Sequence, residues 1–332
     1  TALEALARAD TVVLDKTGTL TRGKPTLVRV LPFGLSQEEA LRLAAALERG
    51  SEHPLAKAVL EAAESLPQAQ AEEVRALPGE GVEGRVEGRR LHLGGPALME
   101  RLGVPLPEEA KALPEEGYTP LYLVEGTRLL AAFAVFDPPR PEAQEAVAAL
   151  RALGLKLGLL TGDRPAPARR VAEALGIPEV LAGVRPEGKV EAIRRLQAEG
   201  RKVVFVGDGI NDAAALAQAD VGLAMGSGTD IALEAGDVVL LTPDLRGVVN
   251  AVRLARRTLR TIYLNFFWAY AYNVVLIPVA AGALYPFPGL LLNPMLAAAA
   301  MSLSSLFVLT NSLRLRAFRP QALPSLNPAA SS

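Results

Sequence analysis

The stretch Thr11-Val12-Val13-Leu14-Asp15-Lys16-Thr17-Gly18-Thr19-Leu20-Thr21 decides the fold of this chain. Its first four residues form a short, apolar, β-branched run that is typical of a buried strand. A carboxylate, Asp15, follows that strand directly and precedes a turn rich in Gly and Thr. In open α/β sheets, ligands bind at this end of the strands. A carboxylate placed there can attack phosphorus and form an aspartyl-phosphate, although a single such Asp can also simply cap a turn.

Short apolar runs recur after residue 130 and alternate with helical stretches. The apolar runs are Ala131–Phe136, Leu155–Leu160, Val203–Val206, Val221–Met225 and Val238–Leu241, and the helical stretches include 141–153, 165–175 and 187–199. This alternation predicts a parallel sheet with helices on both faces. The strand at residues 11–14 is expected to join the same sheet. The predicted fold class is therefore α/β, with a doubly wound parallel sheet.

A second unit is predicted to interrupt this sheet after the nucleophile turn. The breaker Arg22-Gly23-Lys24-Pro25 marks the junction. Ser36 and Glu39 have the capping-box spacing of a helix that runs to about Glu48. Segments 72–94 and 119–135 look like short strands joined by Gly turns. We therefore predict an α+β insertion at 25–132 inside a discontinuous domain made of residues 1–24 and 133–247.

The end of the chain is apolar and basic. The segments Ile262–Leu284 and Leu290–Leu313 each exceed the roughly 20 residues that span a bilayer, and no charged residue lies between Arg260 and Arg314. All 36 acidic side chains lie within residues 1–244, whereas the rest carries only arginines as charged residues. This asymmetry favours a membrane contact over nucleic acid.

We therefore predict two transmembrane helices with flanking basic segments at 248–320, followed by a tail at 321–332. Arginines flank the pair on both sides, which by the positive-inside bias predicts that the soluble domains and both chain ends are cytoplasmic. The expected location is a membrane crossed more than once, in a bacterium the plasma membrane. Two long buried core helices are the alternative.

Three further motifs carry groups suited to phosphoryl transfer. Thr161-Gly162-Asp163 ends a predicted strand with a hydroxyl and a turn that can hold a phosphoryl oxygen. Lys189 can neutralise a transferring group as a point charge. Asp208-Gly209-Ile210-Asn211-Asp212 ends another strand with two carboxylates and an amide, which are ligands that suit Mg²⁺. Taken singly, Thr161 or Lys189 would more often be an ordinary turn or surface residue.

The order of these motifs resembles that of haloacid-dehalogenase-like phosphotransferases, and Asp15–Thr21 resembles the phosphorylation motif of P-type ATPases. With the insertion and the helix pair, nearly the whole chain resembles the C-terminal half of a heavy-metal P-type ATPase of the copper(I)-exporting group. The resemblance implies a catalytic set and a magnesium set. The catalytic set is Asp15, Lys16, Thr17, Thr161, Gly162, Asp163 and Lys189, and the magnesium set is Asp15, Thr17, Asp208 and Asp212, with Asn211 in support.

The same resemblance implies that the insertion is a nucleotide-binding domain for ATP. Ser51-Glu52-His53-Pro54 matches the family's His-Pro signature, which implies that Glu52 and His53 contact adenine. Gly79 and Gly81 match a Gly-x-Gly loop that lets the backbone approach the nucleotide. Gly94 stands where many members have the Gly of a Gly-Asn pair, but Gly95 replaces the Asn. By themselves, the glycine loop could be a hairpin turn and His53 a packed surface histidine.

Asp137-Pro138-Pro139-Arg140 resembles the hinge that returns the chain from the insertion to the phosphorylation domain.

The membrane segments carry residues that the resemblance assigns to copper. Tyr272-Asn273 followed by Pro278, and Met301 followed by Ser304-Ser305, match the patterns of the copper(I) group. The implied ligands are Asn273, Met301 and Ser305, with Tyr272 nearby. A thioether suits soft Cu⁺, and Ag⁺ is the alternative cargo. Without the family match, helix packing of the serines and a lipid-facing Met301 would be preferred.

The resemblance implies ATP-driven export of copper(I) through an aspartyl-phosphate, here by an incomplete chain. The sequence contains no cysteine, and therefore no Cys-Pro-Cys motif, and it has no Thr-Gly-Glu actuator motif. The expected partner is an N-terminal half that carries both, with a copper chaperone as a further candidate. The isolated chain is expected to form a phosphoenzyme or to hydrolyse ATP weakly.

Two other functions stay open. One is a non-catalytic ATP-binding subunit that needs an N-terminal partner. The other is a membrane-anchored phosphatase of the same superfamily, although Thr17 stands where such an enzyme would carry its second acidic residue.

Overall fold

The computed structural model describes residues 1–226, 237–240, 243–280 and 309, which form two sheets with helices packed on their faces. The strands are β1 (Thr11–Asp15), β2 (Thr26–Pro32), β3 (Ala71–Leu77), β4 (Gly81–Val86), β5 (Arg89–Gly94), β6 (Thr119–Glu125), β7 (Arg128–Phe136), β8 (Lys156–Leu160), β9 (Glu179–Leu181), β10 (Val203–Asp208), β11 (Val221–Met225) and β12 (Val238–Leu240). The helices are α1 (Ala2–Arg8), α2 (Gln37–Glu48), α3 (Pro54–Ala62), α4 (Pro96–Leu102), α5 (Glu108–Lys111), α6 (Ala143–Ala152), α7 (Pro165–Leu175), α8 (Gly188–Ala198), α9 (Ala213–Gln218) and α10 (Arg246–Ala280).

The first sheet is parallel and has β1 at its centre. Its strand order is β12-β11-β10-β1-β8-β9, so β1 pairs with β10 on one side and with β8 on the other. Helices α1, α6, α7 and α10 pack on one face, and α8 and α9 pack on the other. All five residues of β1 are buried, which explains why its sequence is continuously apolar before Asp15. The predicted doubly wound parallel sheet is confirmed.

One strand assignment was wrong. The run Ala131–Phe136 belongs to β7, which lies in an antiparallel sheet of order β2-β7-β6-β5-β4-β3. Phe133 on one face of β7 packs towards α2 and α3, while Ala134 on the other face packs with α4 and α5 residues. A strand covered on both faces reads as one apolar run in either kind of sheet, so its sequence could not assign it. The strand β7 itself runs to Phe136, so it crosses the predicted domain boundary at residue 132.

The inserted domain begins with a strand, β2, that the sequence analysis missed. The first helix of this domain, α2, agrees with the prediction. Ser36 Oγ accepts a hydrogen bond of 3.1 Å from the backbone N–H of Glu39, and α2 ends at Glu48. The capping residue and the apolar spacing were local signals. β2 shows no clear alternation, and its place beside β7 depends on chain that lies a hundred residues away.

The chain passes between the two domains twice, and the two connecting segments lie side by side. Thr21 and Pro139 form an antiparallel bridge. The Asp137 carboxylate accepts hydrogen bonds from Thr21 Oγ1 at 2.6 Å and from the Lys24 N–H at 3.1 Å. The outgoing and returning strands are therefore fastened together directly after the turn that follows Asp15.

The long helix α10 leaves the parallel sheet. Its first turns bury Val248, Val249 and Val252 against the sheet, whereas apolar side chains from Ile262 onward are largely exposed. No helix within the described part of the chain combines the length and the hydropathy that crossing a bilayer requires. Of the two predicted membrane segments, the structure describes the first only to residue 280 and the second only at Leu309. The predicted tail at 321–332 lies outside the described residues.

Candidate active site

Asp15 lies at the carboxyl end of the central strand, where the sheet presents its ligand-binding edge. Only 5% of the residue is exposed. The turn that follows is closed by a hydrogen bond of 3.0 Å from the Thr21 N–H to the Lys16 carbonyl. Gly18 adopts a φ of +82°, a conformation that glycine accepts without steric cost. The glycine of the turn is thus required by backbone geometry as well as by the motif.

Lys189 contacts two buried carboxylates. Its Nζ atom lies 3.3 Å from Oδ1 of Asp15 and 2.9 Å from Oδ1 of Asp212. The other oxygen of Asp212 accepts a hydrogen bond of 3.0 Å from the Asp208 N–H. The side chain of Asp212 is fully buried. The Lys189 ammonium group, from the first turn of α8, therefore pairs with the last residue of β1 and with a residue shortly after β10.

The charges of this cluster do not balance. Burial and the neighbouring Asp212 carboxylate raise the pKa of Asp15 to about 7, although Lys189 opposes the shift. Burial lowers the pKa of Lys189, but its hydrogen bond to Asp212 and the charge of Asp15 outweigh burial and leave that pKa raised. Lys189 is consequently charged at neutral pH, and this one ammonium group faces two carboxyl groups, those of Asp15 and Asp212.

Asp208 completes an acidic edge that suits a divalent cation. Its Oδ1 accepts a hydrogen bond of 2.8 Å from the Ile210 N–H, and its Oδ2 accepts one of 3.0 Å from Asn211 Nδ2. Asn211 therefore orients the Asp208 carboxylate. Among the described residues, no three His, Cys, Asp or Glu side chains form a ready-made metal cluster. The donor set nevertheless fits Mg²⁺, which takes one or two carboxylates and completes its shell with waters and phosphate.

Thr161, Gly162 and Asp163 follow the neighbouring strand β8, as predicted. The Thr161 hydroxyl is buried and accepts a hydrogen bond of 3.1 Å from the Asp163 N–H, which leaves its own proton available. The Asp163 carboxylate pairs with Lys16 Nζ at 2.6 Å. Only 4% of the Lys16 side chain is exposed. Lys16 therefore ties the turn after β1 to the turn after β8.

A cleft of about 470 Å³ separates the two domains above this edge. The parallel-sheet domain contributes Lys16, Thr17, Gly162, Asp163, Arg164 and Pro167 to its lining, and the inserted domain contributes Pro54, Leu55, Gly117, Thr119, Val135 and Phe136. Asp15 itself does not line the cleft, but the two residues that follow it, Lys16 and Thr17, do. A ligand in the cleft would thus contact both domains.

The predicted adenine residues lie at the start of α3. Glu52 and His53 are exposed, and the His53 Nδ1 atom accepts a hydrogen bond of 3.2 Å from the Leu55 N–H. His53 therefore caps α3 with one ring nitrogen and keeps the ring face and Nε2 for other contacts. The cleft lining begins at the next residue, Pro54, and does not itself include His53.

The predicted glycines lie together but have a packing role of their own. Gly81 and Gly94 face each other across β4 and β5. A Cβ atom at Gly94 would come within 2.2 Å of the Glu80 carbonyl oxygen, and one at Gly81 within 2.1 Å of the Leu93 carbonyl oxygen. Gly79 has a φ of +73°. Close backbone approach inside the domain is sufficient to require Gly81 and Gly94, the positive φ favours glycine at position 79, and none of the three lines the cleft.

Two residues near the site escaped the sequence analysis. Glu48 ends α2 five residues before His53, and burial raises the pKa of its carboxyl. The apolar residues before Glu48 in α2 were the sequence feature that could have indicated a partly buried carboxyl there. Arg140 was recognised only as the end of the hinge motif, but its side chain reaches the turn after Asp15. No sequence signal could have indicated that contact, because it joins residues more than a hundred positions apart.

The predicted copper residues are only partly described. Tyr272 and Asn273 lie on α10. The Tyr272 hydroxyl is buried and has no hydrogen-bond partner among the described residues, while Asn273 is exposed. Met301 and Ser305 lie outside the described residues, so their proximity to Asn273 stays a prediction.

Known proteins share this sequence and this fold. The family of haloacid dehalogenase-like hydrolases matches residues 9–220. Copper-transporting ATPase 1 of Rhizobium meliloti is 50% identical over 325 residues, which cover 96% of this chain and 39% of that protein. A silver exporting P-type ATPase of Salmonella typhimurium is 44% identical over 326 residues, with 96% of this chain and 39% of that protein covered. The crystal structure of a zinc-transporting PIB-type ATPase in its E2·Pi state has a TM-score of 0.80 at 38% identity, with 95% of this chain and 51% of that chain covered.

The chain therefore belongs to the haloacid dehalogenase-like hydrolases. Within that class it is homologous to the heavy-metal P-type ATPases, with copper-transporting members at 44–50% identity, which confirms the resemblance drawn from its motifs. It spans about two fifths of the length of the curated relatives it matches, 39% in the case of the Rhizobium meliloti ATPase.

Replacing Asp15 by Asn should stabilise the chain in the absence of divalent cations, and increasingly so at higher pH. The pKa of Asp15 is raised from 3.8 to about 7 on folding, so the carboxyl favours the folded state fully below pH 3.8. That contribution is lost as the pH rises towards 7, because a buried carboxyl must then ionise. The difference in melting temperature between Asp15→Asn and the wild type should therefore grow from about pH 4 to about pH 7 and then level off.

Thermal unfolding across this range, with EDTA present, measures the difference. Glu64→Gln, which removes one exposed carboxylate, is the matched control and should show no such growth. A constant difference between Asp15→Asn and the wild type would contradict the raised pKa.

Proposed function

We propose that this chain is the catalytic and C-terminal membrane part of an ATP-driven copper(I) exporter, which works through an aspartyl-phosphate at Asp15. The observation that carries the proposal is the buried Asp15 carboxylate, which pairs with Lys189 and directly precedes Lys16 and Thr17 of the interdomain cleft lining. That placement brings together a proposed nucleophile, a positive charge and a cleft in which a nucleotide would contact both domains. The P-type ATPase relatives support the same reaction.

The phosphoryl transfer follows from these positions. The ionised carboxylate of Asp15 attacks the γ-phosphorus of ATP, a new bond forms between its oxygen and phosphorus, and the bond to the β,γ-bridging oxygen breaks to release ADP. Lys189 stabilises the negative charge that spreads over the phosphoryl oxygens. The Thr161 hydroxyl can donate its proton to one of these oxygens. Asp212 holds Lys189 in place, because both its oxygens already accept from protein donors.

Of the predicted magnesium residues, we propose that Asp15, Thr17 and Asp208 hold Mg²⁺, with Asn211 in support. Asp212, the fourth predicted ligand, is proposed to support the site instead, because both its oxygens already accept hydrogen bonds. When bound, Mg²⁺ neutralises phosphate charge and favours the ionised form of the nearby carboxylates. The raised pKa of Asp15 gives a reason for this requirement. Without a cation, a substantial share of Asp15 is protonated at neutral pH and cannot attack phosphorus.

ATP is proposed to span the cleft, with its adenine at His53 and its phosphates near Thr17 and Gly162. Pro54 and Leu55 supply an apolar wall beside His53. Glu48 offers a partly buried carboxyl five residues away that can hydrogen-bond to an exocyclic amine. Closure of the domains about the tied hinge would shorten the path from adenine to Asp15.

A persistent phosphoenzyme is favoured over rapid hydrolysis. A phosphatase of this class would need a second acid near the nucleophile, and Thr17 occupies the cleft position two residues after Asp15. The chain by itself should therefore form the acyl-phosphate and release it slowly. An N-terminal half with the actuator would accelerate that release in the whole transporter.

The membrane and metal parts of the proposal depend on the sequence and on the relatives. Copper, silver and zinc transporters are 50%, 44% and 38% identical to this chain, respectively, so overall similarity favours the soft monovalent metals. The predicted ligands Asn273, Met301 and Ser305 include a thioether and no carboxylate, which suits Cu⁺ or Ag⁺. Export out of a bacterial cytoplasm, with a copper chaperone as donor, completes the proposal.

Transfer of labelled γ-phosphate from Mg·ATP to the purified chain tests the reaction. We expect an acid-stable, hydroxylamine-labile label on the wild type and none on Asp15→Asn, because only the carboxylate can form an acyl-phosphate. Lys189→Met should lower the rate of labelling by about a hundredfold or more, because it removes the charge beside the nucleophile.

The controls separate the alternatives. ATP binding without any label would favour the non-catalytic subunit. Label that turns over in seconds, together with free phosphate release, would favour the phosphatase. Arg195→Met, which removes an exposed positive charge from the same helix as Lys189, should label like the wild type.

His53→Asn should weaken ATP binding about three- to tenfold, the loss expected when an aromatic ring contact is removed. Asn is chosen because it preserves the cap of α3 that His53 now provides. Isothermal titration with a non-hydrolysable ATP analogue measures the affinity. Labelling of Asp15 by acetyl phosphate, which has no adenine, should not change, and an equal loss with both donors would place His53 outside the adenine site.

Copper(I) binding to the chain in detergent tests the metal assignment. Competition with a chromophoric Cu⁺ chelator should give weaker binding for Met301→Leu, which keeps the side-chain volume but removes the sulfur. Met99→Leu, which changes a buried methionine of the inserted domain, is the matched control. Unchanged Cu⁺ affinity in Met301→Leu, or preferential retention of Zn²⁺ by the wild type, would contradict the assignment.

A further inference from the structure

Arg140 contacts three consecutive carbonyl groups in the turn that follows the nucleophile. Its Nη2 donates a hydrogen bond of 2.9 Å to the Gly18 carbonyl, and its Nε donates one of 2.8 Å to the Thr19 carbonyl. Its backbone N–H donates one of 2.7 Å to the Leu20 carbonyl. The side chain and the backbone of one residue thus hold the whole second half of the turn.

These bonds orient the turn as well as anchor it. A peptide unit is planar, so fixing the Gly18 and Thr19 carbonyls also fixes the directions of the N–H groups of Thr19 and Leu20. Gly18 is the flexible point, because its φ of +82° lies in a region that glycine enters and leaves easily. Thr17, which lines the cleft, is attached directly to Gly18. Without the guanidinium, the Gly18 and Thr19 carbonyls would lose their Arg140 donors, and only the backbone N–H of Arg140 would still hold the Leu20 carbonyl.

The same residue belongs to the hinge. Arg140 directly follows Pro139, which bridges to Thr21, and comes three residues after Asp137, which accepts hydrogen bonds from Thr21 and Lys24. β7 of the inserted domain leads straight into this segment. If the inserted domain rotates about the hinge, Arg140 would move with it. Its planar side chain, which donates to two carbonyls, would then shift the Gly18 and Thr19 carbonyls. Lysine cannot reproduce such a pair of directed bonds.

We propose that Arg140 is a positioning residue for phosphoryl transfer, which couples closure of the inserted domain to the geometry of the turn beside Asp15. The inference rests on the proposed reaction at Asp15. It adds a residue that touches neither nucleotide nor phosphate and acts through the backbone of residues 18–20. Its effect should therefore appear in the rate of transfer and not in nucleotide affinity.

Two measurements on the full chain with Arg140→Met and Arg140→Lys test this role. The first is the rate of labelling by Mg·ATP beside the affinity for a non-hydrolysable ATP analogue. Arg140→Met should label about ten- to a hundredfold more slowly, as expected for a misplaced reacting group, while analogue affinity stays within about twofold. Arg140→Lys keeps the charge and one donor and should lie between Arg140→Met and the wild type.

The second measurement needs no ATP. Beryllium fluoride with Mg²⁺ mimics a phosphoryl group on Asp15, and the ¹⁹F resonance of the bound form reports the geometry of the turn. We expect weaker binding and a shifted resonance in Arg140→Met. Arg151→Met is the matched control, because Arg151 also donates to a backbone carbonyl, that of Gly176, in the same domain but away from the nucleophile.

The outcomes separate this inference from the proposed function. Labelling of Arg140→Met at the wild-type rate would overturn the inference while leaving the reaction intact. So would a loss that merely follows a drop in melting temperature shared with Arg151→Met, with no recovery in Arg140→Lys. If the wild type binds beryllium fluoride but takes no label from ATP, the proposed ATPase reaction fails, and the ¹⁹F comparison still decides the role of Arg140.

Discussion

The ammonium group of Lys189, shared between the buried carboxylates of Asp15 and Asp212, is the interaction on which the site depends. Buried carboxylates destabilise one another, and a single positive charge offsets only part of that cost. Burial, followed by the charge of Asp212, raises the pKa of Asp15 to about 7 in spite of Lys189. Two carboxyl groups with one ammonium group between them favour binding of a cation. Mg²⁺, which takes one or two carboxylates together with phosphate oxygens, is suited to this site.

The parallel sheet makes this cluster from residues that lie far apart in the chain. Asp15 ends β1, Thr161 follows β8 and Asp208 ends β10, and these three strands are neighbours. Since parallel strands end at one edge, the three positions meet without any special loop. Lys189 enters from the first turn of α8, and Lys16 ties two of the strand ends through Asp163. The catalytic groups are thus held by the rigid part of the domain.

The inserted domain is connected to the parallel-sheet domain directly beside the turn that follows Asp15. Its outgoing chain leaves immediately after the turn of residues 16–20, and its returning chain is fastened there by Asp137 and Arg140. A second link lies on the other side of the cleft. There Arg170 donates hydrogen bonds to the Tyr118 hydroxyl and the Glu116 carbonyl, and its guanidinium lies 4.2 Å from the centre of the Tyr118 ring. Relative motion of the two domains must therefore strain or rearrange contacts on both sides of the cleft, which gives a physical basis for linking nucleotide binding to the state of Asp15.

The sequence by itself determined the class of fold, the position of Asp15 at the end of a buried strand and the motifs on the neighbouring strands, because these depend on local patterns. A buried strand, a glycine turn and a capped helix each leave a signature within a few residues. It could not assign β7 to the right sheet or detect β2, since pairing of distant strands is a property of the folded chain. Only the tertiary structure decided that Lys16 is bound to Asp163, that Gly81 and Gly94 are required by strand packing, and that Arg140 reaches the turn after Asp15. Each of these depends on distances between residues that are remote along the chain, and distances of that kind are set by how the layers pack.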